Sequence, residues 1–285
     1  MLRVESKRSL RLFLAAAAAA MLVVAVVYTP LRSYAEGFLT IFTPKQFVAV
    51  PLTESDLSNL PSLQDYGTLV QPFYPEAVRV DSAEAASSMS GMRVLVPANL
   101  PSGVESAPRY EVMPGRSAIF TFSAEKAQAA AGARGQQLPP MPANIDGSSL
   151  QIVVGAIVLA TYPGPENTQL PIPSLVIGQA AAPVVRSTGV SVEELQRYLL
   201  AQPGISQGFA QAVRGLGDPA ATLPIPIPLH MAAAHPVQVQ GVSGLAVADS
   251  TGLGSGVIWE KDGLVYGVAG PLLESELLAV ANSLL

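Results

Sequence analysis

The serine of GVSGL, residues 241–245, sits in a near match to the G-x-S-x-G turn that exposes a hydrolase nucleophile, but Leu245 stands where the second glycine belongs. A serine nucleophile also needs a base. The sequence holds only His230 and His235, both in an apolar, proline-rich segment that ties neither to a chosen serine or carboxylate. Their separation of five residues is not the i, i+4 spacing of a helical metal pair, and no carboxylate cluster accompanies them. With no cysteine in the chain, thiolate nucleophiles, disulfides and thiolate-bound zinc or iron–sulfur sites are excluded together. Glu193 and Glu194 are adjacent, so they diverge on a helix and suit a first turn better than an acid/base pair. Gly252, Gly254 and Gly256 lack the third spacing of a dinucleotide loop, because Val257 breaks it, and they lead into a strand where a phosphate cradle needs a helix. The residues therefore predict no catalytic, metal or cofactor site, and a chain that is not an enzyme.

Two stretches remain as candidate contact sites. In GSGVIWEKDGLVYGVAG, residues 254–270, Asp262-Gly263 suits a type I′ turn, which pairs Lys261 with Leu264, Glu260 with Val265, and Trp259 with Tyr266. A cross-strand aromatic pair contributes roughly 0.2–1 kcal/mol to a sheet, which accounts for Trp259 and Tyr266 as packing; stacking on a ligand is the alternative. The second stretch, PAATLPIPIPLHMAAAHPVQVQGVSGLAVA at 219–248, carries no formal charge when its histidines are neutral. Prolines at 224, 226 and 228 hold it extended with few ladder donors. Ile225, Ile227, Leu229 and Met231 then form either a buried edge segment or an apolar lip that receives an acyl chain, the membrane face or an apolar partner peptide.

The elements that must position these residues read mainly as strands: 47–52, parts of 68–80, 92–96, 117–122, 150–162, parts of 175–185, 237–247, 256–260 and 264–269. The run LQIVVGAIVLATY at 150–162 is too short for a membrane span and reads as a strand with both faces covered. Helix starts lie at Asp81-Ser82-Ala83-Glu84, at Ser123, and at Ser191-Val192-Glu193-Glu194. A last helix over 274–284 places Leu273, Leu277, Val280, Ala281 and Leu284 on one stripe. Strands in neighbouring pairs with helices inserted irregularly predict an α+β fold, a largely antiparallel sheet with several short packed helices. A soft division into two subregions falls near 165, in PGPENTQLPIP.

The N-terminus sets the expected location. Residues 12–31 are uncharged, about 30 Å as a helix and so about one hydrocarbon thickness. Arg3, Lys7, Arg8 and Arg11 precede the run, and only Arg32 and Lys45 follow closely, which puts a short tail, 1–11, in the cytoplasm and 36–285 outside. Arg32 and the length of the run favour one transmembrane helix as a retained anchor; a signal sequence cleaved after Ser33-Tyr34-Ala35 is the alternative. Residues 1–35 carry five basic residues and one acid; subtracting these from the totals of 16 and 21 leaves eleven basic and twenty acidic residues, a charge of −9, on the remainder. Such a domain repels nucleic acid.

The stretches VQGVSG at 239–244, GSGVIWEKDGLVYGVAG and the closing LLAVANSLL look familiar together, as do GMRVLVPANLPSGV at 91–104, FTFSAEKAQAAAGARGQQLPPMPANIDGS at 120–148 and EGFLTIFTPKQFVAV at 36–50. With these the chain resembles an uncharacterised extracytoplasmic domain family found on membrane-anchored, anti-sigma-factor-like bacterial proteins. The resemblance brings no catalytic residues. It implies a sensory, regulatory or accessory domain of the bacterial envelope that acts on a separate membrane protein, because the eleven residues before the span hold no sigma-binding module. The expected function is thus a non-enzymatic, single-pass membrane protein. Its expected partners are the lipid bilayer, through 12–31, and an envelope or membrane protein. The alternative is an envelope carrier or chaperone for a hydrophobic ligand or lipoprotein, with the 223–240 region as its lip.

Overall fold

The apolar run 150–162, which reads as one strand, is creased in the structure, and two further strand pairs are creased in the same way at small residues and proline. The computed structural model describes residues 39–53, 62–70, 76–104, 107–164, 172–228, 232–250 and 254–285. The 150–162 run is two strands, β7 (Ser149–Val154) and β8 (Ile157–Tyr162), broken at Gly155-Ala156. β5 (Arg109–Met113) likewise turns into β6 (Arg116–Phe122) at Pro114-Gly115, and β9 (Leu175–Ala181) into β10 (Val184–Ser187) at Ala182-Pro183. A Cβ on Gly155 would lie 2.7 Å from the Cβ of Ala181, so only glycine permits this approach.

At each crease the chain passes from one sheet to another, the way packed sheets make corners. The other strands of these two sheets are β1 (Leu39–Phe42), β3 (Gly67–Val70), β4 (Val78–Val80), β12 (Ala232–Val239), β13 (Val242–Asp249), β14 (Ser255–Lys261) and β15 (Leu264–Gly270). An eight-stranded antiparallel sheet runs β12-β13-β14-β15-β9-β8-β5-β4, and a five-stranded antiparallel sheet runs β1-β10-β7-β6-β3. The division expected near 165 falls between β8 and β9, which are hydrogen-bonded neighbours with Tyr162 opposite Leu175.

The fold is α+β, with large antiparallel sheets and five short α-helices among the described residues. The expected tail 1–11 and membrane segment 12–31 lie outside those residues, among which no helix is long and apolar enough to cross a membrane. On one face of the eight-stranded sheet lie α1 (Ala83–Ser90) and α5 (Glu274–Asn282), whose Ala86, Leu277, Val280 and Ala281 are buried against it. Leu273, expected on the buried stripe of α5, instead takes the N-cap position and is 69% exposed. The start of α1 also differs from expectation by one residue: Ser82, not Asp81, caps it, accepting from the Ala85 N–H at 3.2 Å.

The five-stranded sheet buries Phe120 and Phe122 against α2 (Ala124–Ala133) and α3 (Val192–Leu199). Ser123 caps α2 as expected. Ser191 and Glu194 close a full capping box on α3, and the Ser191 amide holds the Glu194 carboxyl below the ordinary range.

A third layer joins two distant parts of the chain. β2 (Gln46–Leu52) and β11 (Thr222–Pro228) form a two-stranded parallel ribbon. The Gln46 N–H donates to the Ala221 carbonyl at 3.2 Å, which turns the odd residues of β11 toward β2 and leaves Pro224, Pro226 and Pro228 on the outer edge. Every proline of β11 thus sits where its missing N–H breaks no ladder bond. One face of the ribbon packs on the eight-stranded sheet; the other, through Val50, meets α4 (Gln207–Arg214).

Candidate functional site

One row of side chains runs across all eight strands on the helix-bearing face: Val237, Gly244, Trp259, Tyr266, Gln179, Val158, Val112 and Val78. At its centre is the hairpin expected from the sequence. Asp262 and Gly263 have φ of 55° and 79°, the two positive values that a type I′ turn requires, and the register is the expected one. The rings of Trp259 and Tyr266 stack with centroids 5.3 Å apart and planes 17° from parallel. Trp259 is 0% exposed, and its indole N–H has no hydrogen-bond partner among the described residues. Burial raises the Tyr266 phenol pKa, with Asp262 and Glu260 adding to the effect.

Gly244, the glycine of the near-elbow motif, has a packing role. A Cβ there would meet the Ile258 carbonyl oxygen at 2.9 Å and the Trp259 Cβ at 3.1 Å. Its neighbours Gln240 and Gly241, with φ of 50° and 81°, form a second tight turn, so the single strand expected over 237–247 is the β12-β13 hairpin.

Next in the row, Gln179 is 2% exposed in an otherwise apolar core. Its amide accepts from the Leu95 N–H at 2.8 Å and donates to the Leu95 carbonyl at 2.7 Å, taking the place of a neighbouring strand. Residues 92–104, of which 92–96 were expected as a strand, cross this face without a strand of their own and contribute Met92, Val94, Leu95, Leu100 and Val104 to the core. Ser87 on α1 accepts from the Val94 N–H at 2.9 Å, fixing one end of this strap. The other end pairs with the end of the chain: Val96 and Leu285 exchange bonds at 3.3 and 3.1 Å, and the Ala98 N–H donates to the Ser283 carbonyl at 3.0 Å.

Of the residues expected to form an apolar lip over 223–240, two are buried. Ile225 and Ile227 are 4% and 6% exposed and pack with Phe47, Leu245, Ile258 and Val265 between the ribbon and the eight-stranded sheet. Leu229, Met231 and His230 lie outside the described residues. His235 is on the edge strand β12, with Nε2 3.1 Å from a Glu274 carboxylate oxygen of α5, and bridges edge and helix. Ser243 is exposed on β13 opposite Gln238, while His235 is opposite Ala246, so the motif serine and this histidine are not brought together as a pair.

The arrangement therefore offers a buried primary amide that holds the backbone of an irregular strap, and a stacked aromatic pair in the same core. Sequence reading missed Gln179, although a lone amide within the apolar run LVIGQAA was the available signal. No family model, curated protein or solved structure matches the chain.

Proposed function

We propose that this chain is a membrane-tethered, non-catalytic binding domain of the bacterial envelope, acting in a regulatory or accessory role on a separate envelope or membrane protein. One observation carries the preference over a hydrophobic-ligand carrier. The isoleucines that would line a carrier's lip, Ile225 and Ile227, are enclosed between two layers. Burying each contributes roughly 1.5–3 kcal/mol to the fold, a stabilisation that exposure to a ligand would remove. The tether supports the same reading. β1 begins at Leu39 and pairs along β10, so only residues 32–38 separate the expected span from the folded sheet. Seven extended residues reach about 25 Å, which confines the domain to within roughly its own diameter of the bilayer.

The test is mass spectrometry of the full chain gently purified from its native membrane, scoring proteins and lipids in the same sample. A stoichiometric envelope protein without lipid supports the reading. A stoichiometric lipid that stays with the domain after protease release from residues 1–31 would reverse the preference in favour of the carrier.

A further inference from the structure

The geometry points to a self-occupied peptide groove: residues 92–98, held through Leu95 by Gln179 on the helix-bearing face, are an intramolecular stand-in for an extended apolar segment of a partner protein. This rests on the reading of the chain as a partner-binding domain but is independent of the membrane tether.

Three observations converge on it. First, the strap is bound as a peptide ligand is bound. Gln179 reads both backbone groups of Leu95, while Val94 is buried in the core, so the backbone is held by hydrogen bonds and a side chain by apolar burial. Second, the strap is shallowly held. Of residues 92–98 only Val94 is buried; Arg93, Val96 and Ala98 are exposed and Met92, Leu95 and Pro97 are half-buried. Segments with little buried apolar surface open at lower free energy than the sheets beneath them. Third, the rim of the core that the strap helps to close exposes apolar Met89, Val96 and Leu285. The occupant that fits is an extended, largely apolar segment with the pattern of the strap itself, Met-Arg-Val-Leu-Val-Pro-Ala.

Two measurements test this on the full chain in detergent micelles. Hydrogen exchange of the wild-type protein should show the amides of Leu95, Val96 and Leu285 exchanging through an opening with a much weaker denaturant dependence than the amides of β14 and β15. Exchange of all these amides only through global unfolding overturns the proposal. The second measurement uses Val94→Asp, which expels the strap from its own site, and a synthetic peptide of residues 92–98 as the probe, followed by Trp259 fluorescence. The variant should bind the peptide, and Gln179→Leu in the same background should abolish binding. For a strap open about 1% of the time, the wild type should bind roughly 100-fold more weakly than the variant. A folded Val94→Asp chain that ignores the peptide overturns the proposal while leaving the partner-binding reading standing; if Val94→Asp does not fold, the exchange measurement decides.

Discussion

Replacing Gln179 by leucine keeps the volume at this position close to native but removes both bonds to Leu95, whose lengths are 2.8 and 2.7 Å. Each lost bond costs about 1 kcal/mol, and each backbone group left unsatisfied adds a desolvation penalty of about 1–3 kcal/mol when fully buried. Leu95 is only half-buried, so water reaches the vacated groups and the added penalty falls below that range, to about 0–0.5 kcal/mol each. The expected net loss is about 2–3 kcal/mol, or a fall in Tm of about 5–10 °C for a domain of this size. Urea unfolding followed through Trp259, the only tryptophan, reads it from within the same core. Gln179→Glu supplies the control. When protonated, the carboxyl reproduces both bonds; when ionised, it accepts from the Leu95 N–H but faces the Leu95 carbonyl with charge. Its folded pKa is therefore raised above the unfolded value of about 4.3. The stability it supplies relative to Gln179→Leu is fully present below that unfolded value and is lost as pH rises through the folded one. Two results would refute the reasoning: Gln179→Leu within about 0.5 kcal/mol of wild type, or the same difference between the Glu and Leu variants at about pH 4 and about pH 8.

Four other perturbations have defined outcomes. Gly244→Ala forces a Cβ to 2.9 Å from the Ile258 carbonyl and should cost about 1–3 kcal/mol in urea unfolding. Ile227→Asp places a carboxylate in the enclosed layer between ribbon and sheet and should destabilise the domain by more than about 3 kcal/mol; an unchanged Tm would mean that the position is open to solvent. Gly263→Ala, at φ 79°, should lower stability by about 1 kcal/mol without changing the fold seen by circular dichroism. Burial, with a smaller contribution from Tyr110, pushes the Tyr162 phenol up to about 12. Stability from the neutral phenol is then complete below its unfolded pKa of about 10 and is lost as pH rises through the folded value, so Tyr162→Phe should flatten the alkaline limb of the unfolding curve.

The 254–270 hairpin was legible because its signals are local: two alternating runs and an Asp-Gly pair fix turn, register and the Trp259-Tyr266 contact together. The Gln240-Gly241 turn carries a weaker form of the same signal and was read through as strand. The 150–162 run misled for a different reason. Its apolar character continues across Gly155, and what marks the crease is the close approach of Ala181, a contact made across the sheet. The prolines of β11 correctly indicated an edge, yet the burial of Ile225 and Ile227 depends on pairing with β2, separated by 176 residues, and on the sheet below, neither of which leaves a local pattern. α4 was missed although Ser206 caps it by accepting from the Phe209 N–H at 3.1 Å, a signal of the same kind that identified α2.

The two N-terminal strands impose an order on assembly. β1 has no partner until β10 is available, and β2 none until β11, so the part of the chain beside the expected anchor completes its structure only after residue 228 has emerged. For a chain that emerges in order from its N-terminal side, Phe47 stays uncovered until about 180 further residues have emerged, and the closing step is a parallel pairing of high sequence separation, intrinsically slow. A chain of this design depends on being shielded while it emerges, and its interval of greatest exposure to proteases and aggregation falls between the arrival of β2 and that of β11.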